Sequence, residues 1–308
     1  MTAPNRRFAL TALLALASPA FAQRDEQPVV EALKVGTQRI ELQFAPGFSA
    51  AERELAKQWV LRSAQTVAAY FGRYPVNDGE ILLVPAQGSG VSGGTTFNAP
   101  GPTVRANLGR ATTPAQLLDD WVMVHEMVHL AIPYLPRRNS WFHEGAATYV
   151  EIIARAHAGL TTTSSVWVQL PRSLHQGLPQ PGDRGLDFTP SWGRTYWGGA
   201  MFCLLADVEI RKRSANRFGL RDGLRGLVAS GSNYGVALGI DETLARIDKA
   251  SGSTVLAELY ADMKDKPVTP DLPQLWKDLG VDIVGRTVSL RDDAPLSAVR
   301  RAITSSMA

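Results

Sequence analysis

The sequence predicts an α+β domain, with a small sheet in its N-terminal part and a mainly helical C-terminal half. Residues alternate between apolar and polar from Gln38 to Phe44, a pattern typical of a half-buried strand. Helical spacing of apolar residues dominates the second half of the chain. Of the 308 residues, 45% are hydrophobic, which is enough for a sizeable core in one large domain or two intimate ones.

Residues 1–22 are predicted to be a signal peptide rather than part of the fold. Arg6 and Arg7 form its positive region, and residues 8–17 form an apolar run too short to span a bilayer. Residues 20–22 supply an A-x-A cleavage site. We therefore expect an exported protein, periplasmic or secreted. The arginine pair leaves the twin-arginine route open beside general export.

A helix and two further strands are predicted before the central motif. Ser49 is a plausible N-cap for a helical pattern that extends to Phe71. Residues 81–84 form a short apolar run typical of a buried strand, and residues 103–108 form another strand candidate. The glycine-rich residues 88–94 are typical of a turn or loop. No Lys-Ser/Thr pair follows them, so they are not a phosphate-binding loop.

The next helix begins with a capping box. Thr113 is the N-cap, Pro114 occupies the first helical position, and Gln116 completes the box. We expect this helix to continue to about Ile132, where Pro133 stops it. Its apolar residues surround it, which is typical of a buried helix.

This helix carries the central motif, H-E-x-x-H, formed by His125, Glu126 and His129. Residues four apart lie on one face of a helix, so both imidazoles can reach the same metal ion. Glu126 can then act on a metal-bound water. The alternative is a buried helix with two hydrogen-bonded histidines.

A catalytic zinc site needs a third protein ligand and keeps its fourth position for water. Glu144 is the best candidate, since it opens a helical pattern whose small residues allow close packing against the zinc helix. His143 is its neighbour, and adjacent helical residues point about 100° apart, so only one of the two should face the metal. Glu151 or Thr148 could accept a hydrogen bond from a ligand histidine, and the alternative for Glu151 is a solvated side chain.

Two stretches resemble a known family. The pentad at 125–129, followed by Trp141-Phe142-His143-Glu144-Gly145-Ala146-Ala147, resembles the gluzincin zinc metallopeptidases of the peptidase MA-like superfamily, such as aminopeptidase N and thermolysin. Residues 196–211 resemble the glycyl-aminopeptidase branch. The resemblance covers roughly residues 80–235. It implies a thermolysin-like zincin domain that hydrolyses peptide bonds with one Zn²⁺ per chain.

The resemblance also implies residue roles. It selects Glu144 as the third ligand, which leaves His143 to line the cleft and contact substrate. It makes Tyr196 a catalytic hydrogen-bond donor, where the alternative is a tyrosine packed beside Trp192 and Trp197.

In this family an edge strand just before the zinc helix pairs with extended substrate. The position matches residues 104–108, so Val104, Arg105 and Ala106 are predicted to bind substrate. The alternative is an ordinary strand.

The sequence after residue 160 is predicted to be mainly helical. Residues 161–192 are expected to form a long loop with a short strand at 166–170, and residues 198–213 to form a helix. Further helices are predicted at 221–230 and 241–250. The single cysteine, Cys203, lies in an apolar run of the helix predicted at 198–213, and we expect it to be a buried structural thiol.

The chain is expected to end in irregular structure after Pro267, with a small hairpin at 281–290. We therefore divide the mature chain into a catalytic domain, residues 23–265, and a C-terminal extension, residues 266–308.

The predicted function is an exported zinc-dependent peptidase with Glu126 as general base and a peptide or protein as substrate. Alternatives are a catalytically silent zinc protein that binds peptide or cell-wall material, and a zinc amidase with a non-peptide substrate. The glycine-rich stretch 90–95 lacks the acid that holds the free amine in related aminopeptidases, so amino- and endopeptidase action both stay open. A net charge of +3 gives no indication of nucleic-acid binding, and we expect no stable membrane insertion after signal cleavage.

Overall fold

The structure is a computed structural model that describes residues 27–285 and 287–305, so the predicted signal peptide lies outside the described residues. The described chain has the predicted α+β fold, with one mixed sheet in its N-terminal part and helices in most of the remainder. The strands are β1 (Val29–Val35), β2 (Gln38–Phe44), β3 (Asp78–Ala86), β4 (Val91–Phe97), β5 (Thr103–Gly109), β6 (Val281–Val284) and β7 (Thr287–Leu290).

Helices cover one face of the sheet and form the C-terminal half. They are α1 (Ala50–Phe71), α2 (Pro114–Asp119), α3 (Val122–His129), α4 (Ser140–His157), α5 (Thr163–Ser173), α6 (Gly199–Ser214), α7 (Leu220–Ala229), α8 (Ile240–Ser251), α9 (Val255–Met263), α10 (Leu272–Leu279) and α11 (Ser297–Thr304). Within the described residues, no helix is long and apolar enough to cross a bilayer.

The order of the N-terminal strands determines which of them can meet a substrate. The sheet has the order β1-β2-β3-β5-β4. β1 and β2 form an antiparallel hairpin, β2, β3 and β5 run parallel, and β4 pairs antiparallel with β5. Within the described chain β4 therefore has a strand on one side only, and its outer backbone groups can pair with an added strand.

The predicted helix after Ser49 is confirmed as α1. Ser49 Oγ accepts from the Glu52 backbone N–H (3.3 Å), and the Glu52 carboxylate accepts from the Ser49 backbone N–H (2.6 Å). This capping box satisfies backbone donors that the first turn leaves without partners. The helix ends at Gly72, whose φ of 83° favours glycine.

The prediction of one helix from Pro114 to about Ile132 is wrong, because the helix is interrupted at Asp120. Asp120 has an extended backbone (φ −62°, ψ 136°) between α2 and α3. Its carboxylate accepts from the Met123 backbone N–H (3.1 Å) and from Trp59 Nε1 of α1 (3.1 Å). An aspartate that bonds nearby backbone N–H groups competes with helix propagation, and here it starts α3 instead.

Residues 161–192 are not the loop with a short strand that the sequence predicted. Residues 163–173 form α5, whose N-cap Thr162 accepts from the Ser165 backbone N–H (3.1 Å). Val166 and Leu170, four residues apart, are both buried. Pro171 lies in the last turn of α5, where its missing backbone N–H removes one helical hydrogen bond.

The prediction of irregular structure after Pro267 is also wrong in part. Asp271 caps α10 by accepting from the Gln274 backbone N–H (2.9 Å), with a proline in the first turn. The predicted hairpin is confirmed as β6 and β7. Val299 and Ile303 of α11 are buried in the same core as the preceding helices.

A buried polar network joins α4, α6 and α7 behind the site. Asp207 accepts from Tyr149 Oη (2.8 Å), from Arg211 Nε (2.8 Å) and from the Leu220 backbone N–H (3.0 Å). All of these groups are buried, so each donor needs the partner it has. Cys203 is buried and makes no disulfide, as predicted.

His157 ties α11 to this network. Its Nε2 donates to the Ile303 carbonyl (3.0 Å), and its Nδ1 accepts from Arg221 Nη1 (3.2 Å). Burial lowers the pKa of His157 to about 4, and the Arg221 charge acts in the same direction. The neutral imidazole is therefore the form that this site stabilises.

The pH dependence of stability should reveal this histidine. Between about pH 6.5 and about pH 4 the unfolded chain binds a proton at His157 that the folded chain resists, so the free energy of unfolding should fall as the pH is lowered through this window. His157→Gln keeps a donor for the Ile303 carbonyl but does not titrate. In urea unfolding at several pH values, the variant should lose less stability than the wild type, and equal losses would contradict this assignment.

Candidate metal centre

Helices α3 and α4 bring the predicted ligands together. His125 Nε2 lies 3.3 Å from Glu144 Oε2, and His129 Nε2 lies 3.4 Å from the same oxygen. The three ligand atoms all lie within 4.8 Å of one another. Both histidines are buried, while Glu144 is partly exposed. The i, i+4 pair on α3 and the first turns of α4 thus converge on one point.

The spacing of these atoms fits a zinc ion. Two ligands with bond lengths of about 2.1 Å, set at the tetrahedral angle, stand about 3.4 Å apart. The two histidine–glutamate distances of 3.3 and 3.4 Å agree with this value. Two imidazoles and one carboxylate are also a donor set found in catalytic zinc sites.

Asp187 fixes the start of α4 and therefore the position of Glu144. Its Oδ1 accepts from Asn139 Nδ2 (2.9 Å) and from Trp141 Nε1 (2.8 Å), and its Oδ2 accepts from Tyr260 Oη (2.7 Å). These bonds hold the chain just before the first turn of α4. They fix side chains at the start of a helix that has no side-chain N-cap.

Gly145, the first of the small residues after Glu144, makes a contact beyond the one predicted. A Cβ on Gly145 would stand 2.2 Å from the Gly199 carbonyl carbon, and a Cβ on Gly199 would stand 1.9 Å from the Trp141 carbonyl oxygen. At Gly145 the close approach is therefore between α4 and the start of α6, in addition to the packing of α4 on the zinc helix. This contact brings the segment that carries Tyr196 next to the metal ligands.

The charges of two of the three ligands suit metal binding, whereas the pKa of His129 is raised because its bond to Glu144 and the charges of Glu144 and Glu126 outweigh burial. Burial lowers the pKa of His125, although its bond to Glu144 opposes the shift. The pKa of Glu144 lies below its ordinary value, because its bonds to His125 and His129 outweigh the opposing effect of burial. An ionised carboxylate and a neutral imidazole are the forms that bind metal.

Glu126 points into the same cavity, which has a volume of about 190 Å³. The edge strand β4 holds it there: Thr96 Oγ1 lies 2.8 Å from Glu126 Oε2 and 2.8 Å from the Glu126 carbonyl oxygen. A Cβ on Gly94 would stand 2.5 Å from Glu126 Cγ. Only glycine allows β4 to pass this close to the side chain.

Sequence reasoning missed Gly94 and Thr96. The glycine-rich stretch was predicted to be a turn or loop, but residues 91–97 form β4. Glycine inside a strand often marks the close approach of another group. That signal was present in Gly93-Gly94, and it would have indicated the contact with the zinc helix.

The prediction that β5 is the substrate-binding edge strand is wrong. β5 lies between β3 and β4, so both sides of its backbone are already paired. Val104 and Ala106 are fully buried, and Arg105 is exposed. The open edge beside the metal cavity belongs to β4 instead.

Tyr196 lies at the metal cavity, as predicted. It sits in a π-helical turn, Arg194–Gly198, that leads into α6. Its ring stacks on His125 (centroids 6.3 Å apart) and on Trp192 (5.9 Å). Burial, aided by the nearby charge of Glu144, raises the pKa of Tyr196 to about 12. The phenol therefore keeps its proton at neutral pH and can donate a hydrogen bond.

His143 lines the same cavity but lies outside the ligand group. Its ring stacks on His129 (4.6 Å) and also contacts Tyr234 (4.9 Å). Burial holds the pKa of His143 well below its usual range. Tyr234, whose Oη lies 3.5 Å from the Thr96 carbonyl oxygen, is a second phenol at the cavity that sequence reasoning missed.

Glu151 and Thr148 do not make the contacts predicted for them. Among the described residues, neither forms a hydrogen bond with a ligand histidine. Glu151 accepts instead from Arg155 Nη1 (3.2 Å), and burial raises the pKa of its carboxyl to about 8 although Arg155 opposes the shift. His129 Nδ1 is buried without a protein partner.

No protein-family model matches this sequence. No curated protein matches it at a significant level. Solved structures do match in fold. An aminopeptidase N family protein from Idiomarina loihiensis aligns with a TM-score of 0.61 at 13% identity, over 82% of this chain and 49% of that one.

Two further solved structures are similar. A mutant two-domain M1 zinc metallopeptidase bound to L-arginine and an M1 zinc metallopeptidase from Deinococcus radiodurans each align with a TM-score of 0.52 at 16% identity, over 80% of this chain and 53% of theirs. The chain thus spans about half the length of these proteins. The resemblance predicted from the motifs is confirmed at the level of the fold.

Metal content tests the ligand assignment. The purified mature protein should contain about one zinc per chain, and His129→Ala should lose most of it, because two remaining ligands bind zinc far more weakly. Atomic emission analysis of both proteins measures this. His175→Ala, which changes a histidine outside the ligand group, is the control. Equal zinc content in His129→Ala and wild type would contradict the assignment.

Proposed function

We propose that this chain is an exported zinc-dependent peptidase that hydrolyses peptide bonds with Glu126 as general base. The convergence of His125, His129 and Glu144 on one point, with Glu126 in the same cavity, carries the proposal. The fold shared with M1 zinc metallopeptidases supports it. The resemblance of residues 1–22 to a signal peptide supports export.

The three ligands would hold zinc, which when bound lowers the pKa of a coordinated water toward about 7 and polarises the substrate carbonyl. Glu126 accepts a proton from the attacking water and delivers it to the leaving amine. The Thr96 hydroxyl holds the Glu126 carboxylate in place for both transfers. The Tyr196 phenol donates to the carbonyl oxygen as negative charge develops on it.

The retained glutamate favours an enzyme over a catalytically silent zinc protein. A structural zinc site has four protein ligands and needs no base beside it. Here the described ligand group has three members, and Glu126 sits beside them with its carboxylate oriented by Thr96. Both features match a site that keeps a position for water.

The edge strand supports an extended peptide as substrate. The outer backbone groups of β4 run past Glu126, and a peptide can pair with them as an added strand. Among the described residues that line the metal cavity, Glu126 and Glu144 are the only carboxylates. Both have roles in catalysis, so a substrate's free ammonium has no carboxylate of its own. We therefore propose that internal peptide bonds are cleaved.

Replacement of the proposed base distinguishes a peptidase from a zinc protein that only binds its ligand. Glu126→Gln keeps every ligand, so zinc content should stay at the wild-type level while peptide hydrolysis falls by at least about 10²-fold, the usual contribution of a positioned general base. Hydrolysis of a fluorogenic peptide and metal analysis give the two quantities. Equal turnover in the two proteins would remove Glu126 from the mechanism.

Tyr196→Phe tests the oxyanion donor. Loss of one such donor should lower kcat by roughly 10²–10³-fold, because the hydrogen bond strengthens only in the transition state. Zinc content and Tm should change little, since the ring remains to stack on His125 and Trp192. Near wild-type kcat, or a parallel loss of zinc or stability, would instead make Tyr196 a packing residue.

A blocked amino terminus distinguishes the two modes of cleavage. A peptide and its N-acetylated form should be cleaved at the same internal bond with similar kcat/KM, because the described lining of the metal cavity has no carboxylate besides Glu126 and Glu144 to hold the free amine. Mass spectrometry of the products identifies the bond. A strict requirement for the free amine would show that this chain is an aminopeptidase.

A further inference from the structure

A second and larger cavity opens directly beside the metal site. Its volume is about 480 Å³, against about 190 Å³ for the metal cavity. His125 and Tyr196 line both cavities, so these two side chains form the wall between them. A peptide whose carbonyl lies between Tyr196 and the metal ligands has a neighbouring side chain within reach of the larger cavity.

The walls of this cavity are aromatic. Three indoles line it, those of Trp121, Trp192 and Trp197. Trp121 is 51% exposed and Trp192 is 61% exposed, which is unusual for such large apolar side chains. Trp121 also contacts His125 edge-on (5.7 Å). Apolar side chains grouped around an open cavity are typical of a ligand site.

The floor of the cavity is polar and buried. Glu151 and Arg155 are 3% and 7% exposed, and Arg155 Nη1 donates to Glu151 Oε1 (3.2 Å). Arg155 Nη2 donates to the Asp119 carbonyl (2.8 Å). Arg155 Nε and Trp197 Nε1 are both buried without a protein partner. Both atoms are covered by their neighbours, so the polar groups that a ligand can reach are other atoms of the lining, among them those of Glu151 and Gln169.

We propose that this cavity receives the side chain of the substrate residue next to the cleaved bond and selects for tyrosine, an aromatic ring with a hydrogen-bonding tip. The inference rests on the proposed peptidase function, whose substrate it makes more specific.

Each part of the tyrosine side chain has a counterpart in the cavity. Its ring packs against the indoles. Its hydroxyl can donate to Glu151 and accept from the Gln169 amide, both of which line the cavity. Phenylalanine fills the same space but leaves the polar floor without partners, and alanine leaves the walls without contact. A charged side chain would have to leave water for a buried floor in which Glu151 and Arg155 already bond each other.

Binding of single-residue ligands tests the cavity apart from catalysis. N-acetyltyrosinamide, N-acetylphenylalaninamide and N-acetylalaninamide are titrated into the zinc-loaded protein, with tryptophan fluorescence as the readout. The tyrosine ligand should bind at least about tenfold more tightly than the phenylalanine ligand, and the alanine ligand most weakly. Trp192→Ala should weaken tyrosinamide binding at least about tenfold. Phe218→Ala changes an exposed aromatic residue outside this cavity and should leave binding unchanged.

Cleavage of matched peptides completes the test. Peptides that differ only in Tyr, Phe or Ala at one position are incubated with the enzyme, and the cleaved bond is mapped by mass spectrometry. Cleavage at a fixed position next to tyrosine supports the inference. Cleavage without preference, or tyrosinamide binding no tighter than phenylalaninamide binding, overturns it. Selective tyrosinamide binding without any peptide cleavage supports the cavity assignment while the proposed peptidase function fails.

Discussion

The structure depends on one constraint: three metal-binding side chains must be held together where two buried helices meet. His125 and His129 are buried, and Glu144 faces both across a gap of 3.3–3.4 Å. Polar and ionisable groups placed this way are costly unless they share a partner, and a zinc ion supplies it. Much of the surrounding fold serves to fix the two helices. Asp120 starts α3, Asp187 anchors the chain before α4, and the glycine contact at 145 and 199 seats α4 against α6.

The edge strand β4 links the sheet to this centre. Gly94 lets its backbone approach the Glu126 side chain, and Thr96 bonds the Glu126 carboxylate. The strand that can pair with a peptide is thus the strand that contacts the proposed base. In the proposed mechanism, substrate docking and proton transfer are coupled through one short segment, residues 91–97. Changes in β4 should therefore affect binding and catalysis together.

What the sequence could predict was local. The shared metal-facing side of the H-E-x-x-H histidines follows from helical geometry alone. The next helix start left His143 and Glu144 as candidates for the third ligand, and the family resemblance selected Glu144. The helix break at Asp120 was missed, because one of its two partners is Trp59, 61 residues away. The strand order was missed for the same reason: β4 follows β3 in the chain but pairs outside β5, which no local pattern indicates. The hydrogen bond expected between Glu151 and a ligand histidine is not formed, and the Glu151 carboxylate pairs with Arg155 one turn further on.

The central claim is that the triad holds a zinc ion used for peptide hydrolysis, and a mixed peptide library tests it most directly. The mature protein is incubated with the library after purification, after removal of metal by a chelator, and after readdition of one equivalent of zinc. We predict cleavage in the first sample, none in the second and recovery in the third. Cleavage that persists in metal-free protein, or a fully zinc-loaded protein that cleaves no peptide, would contradict the claim.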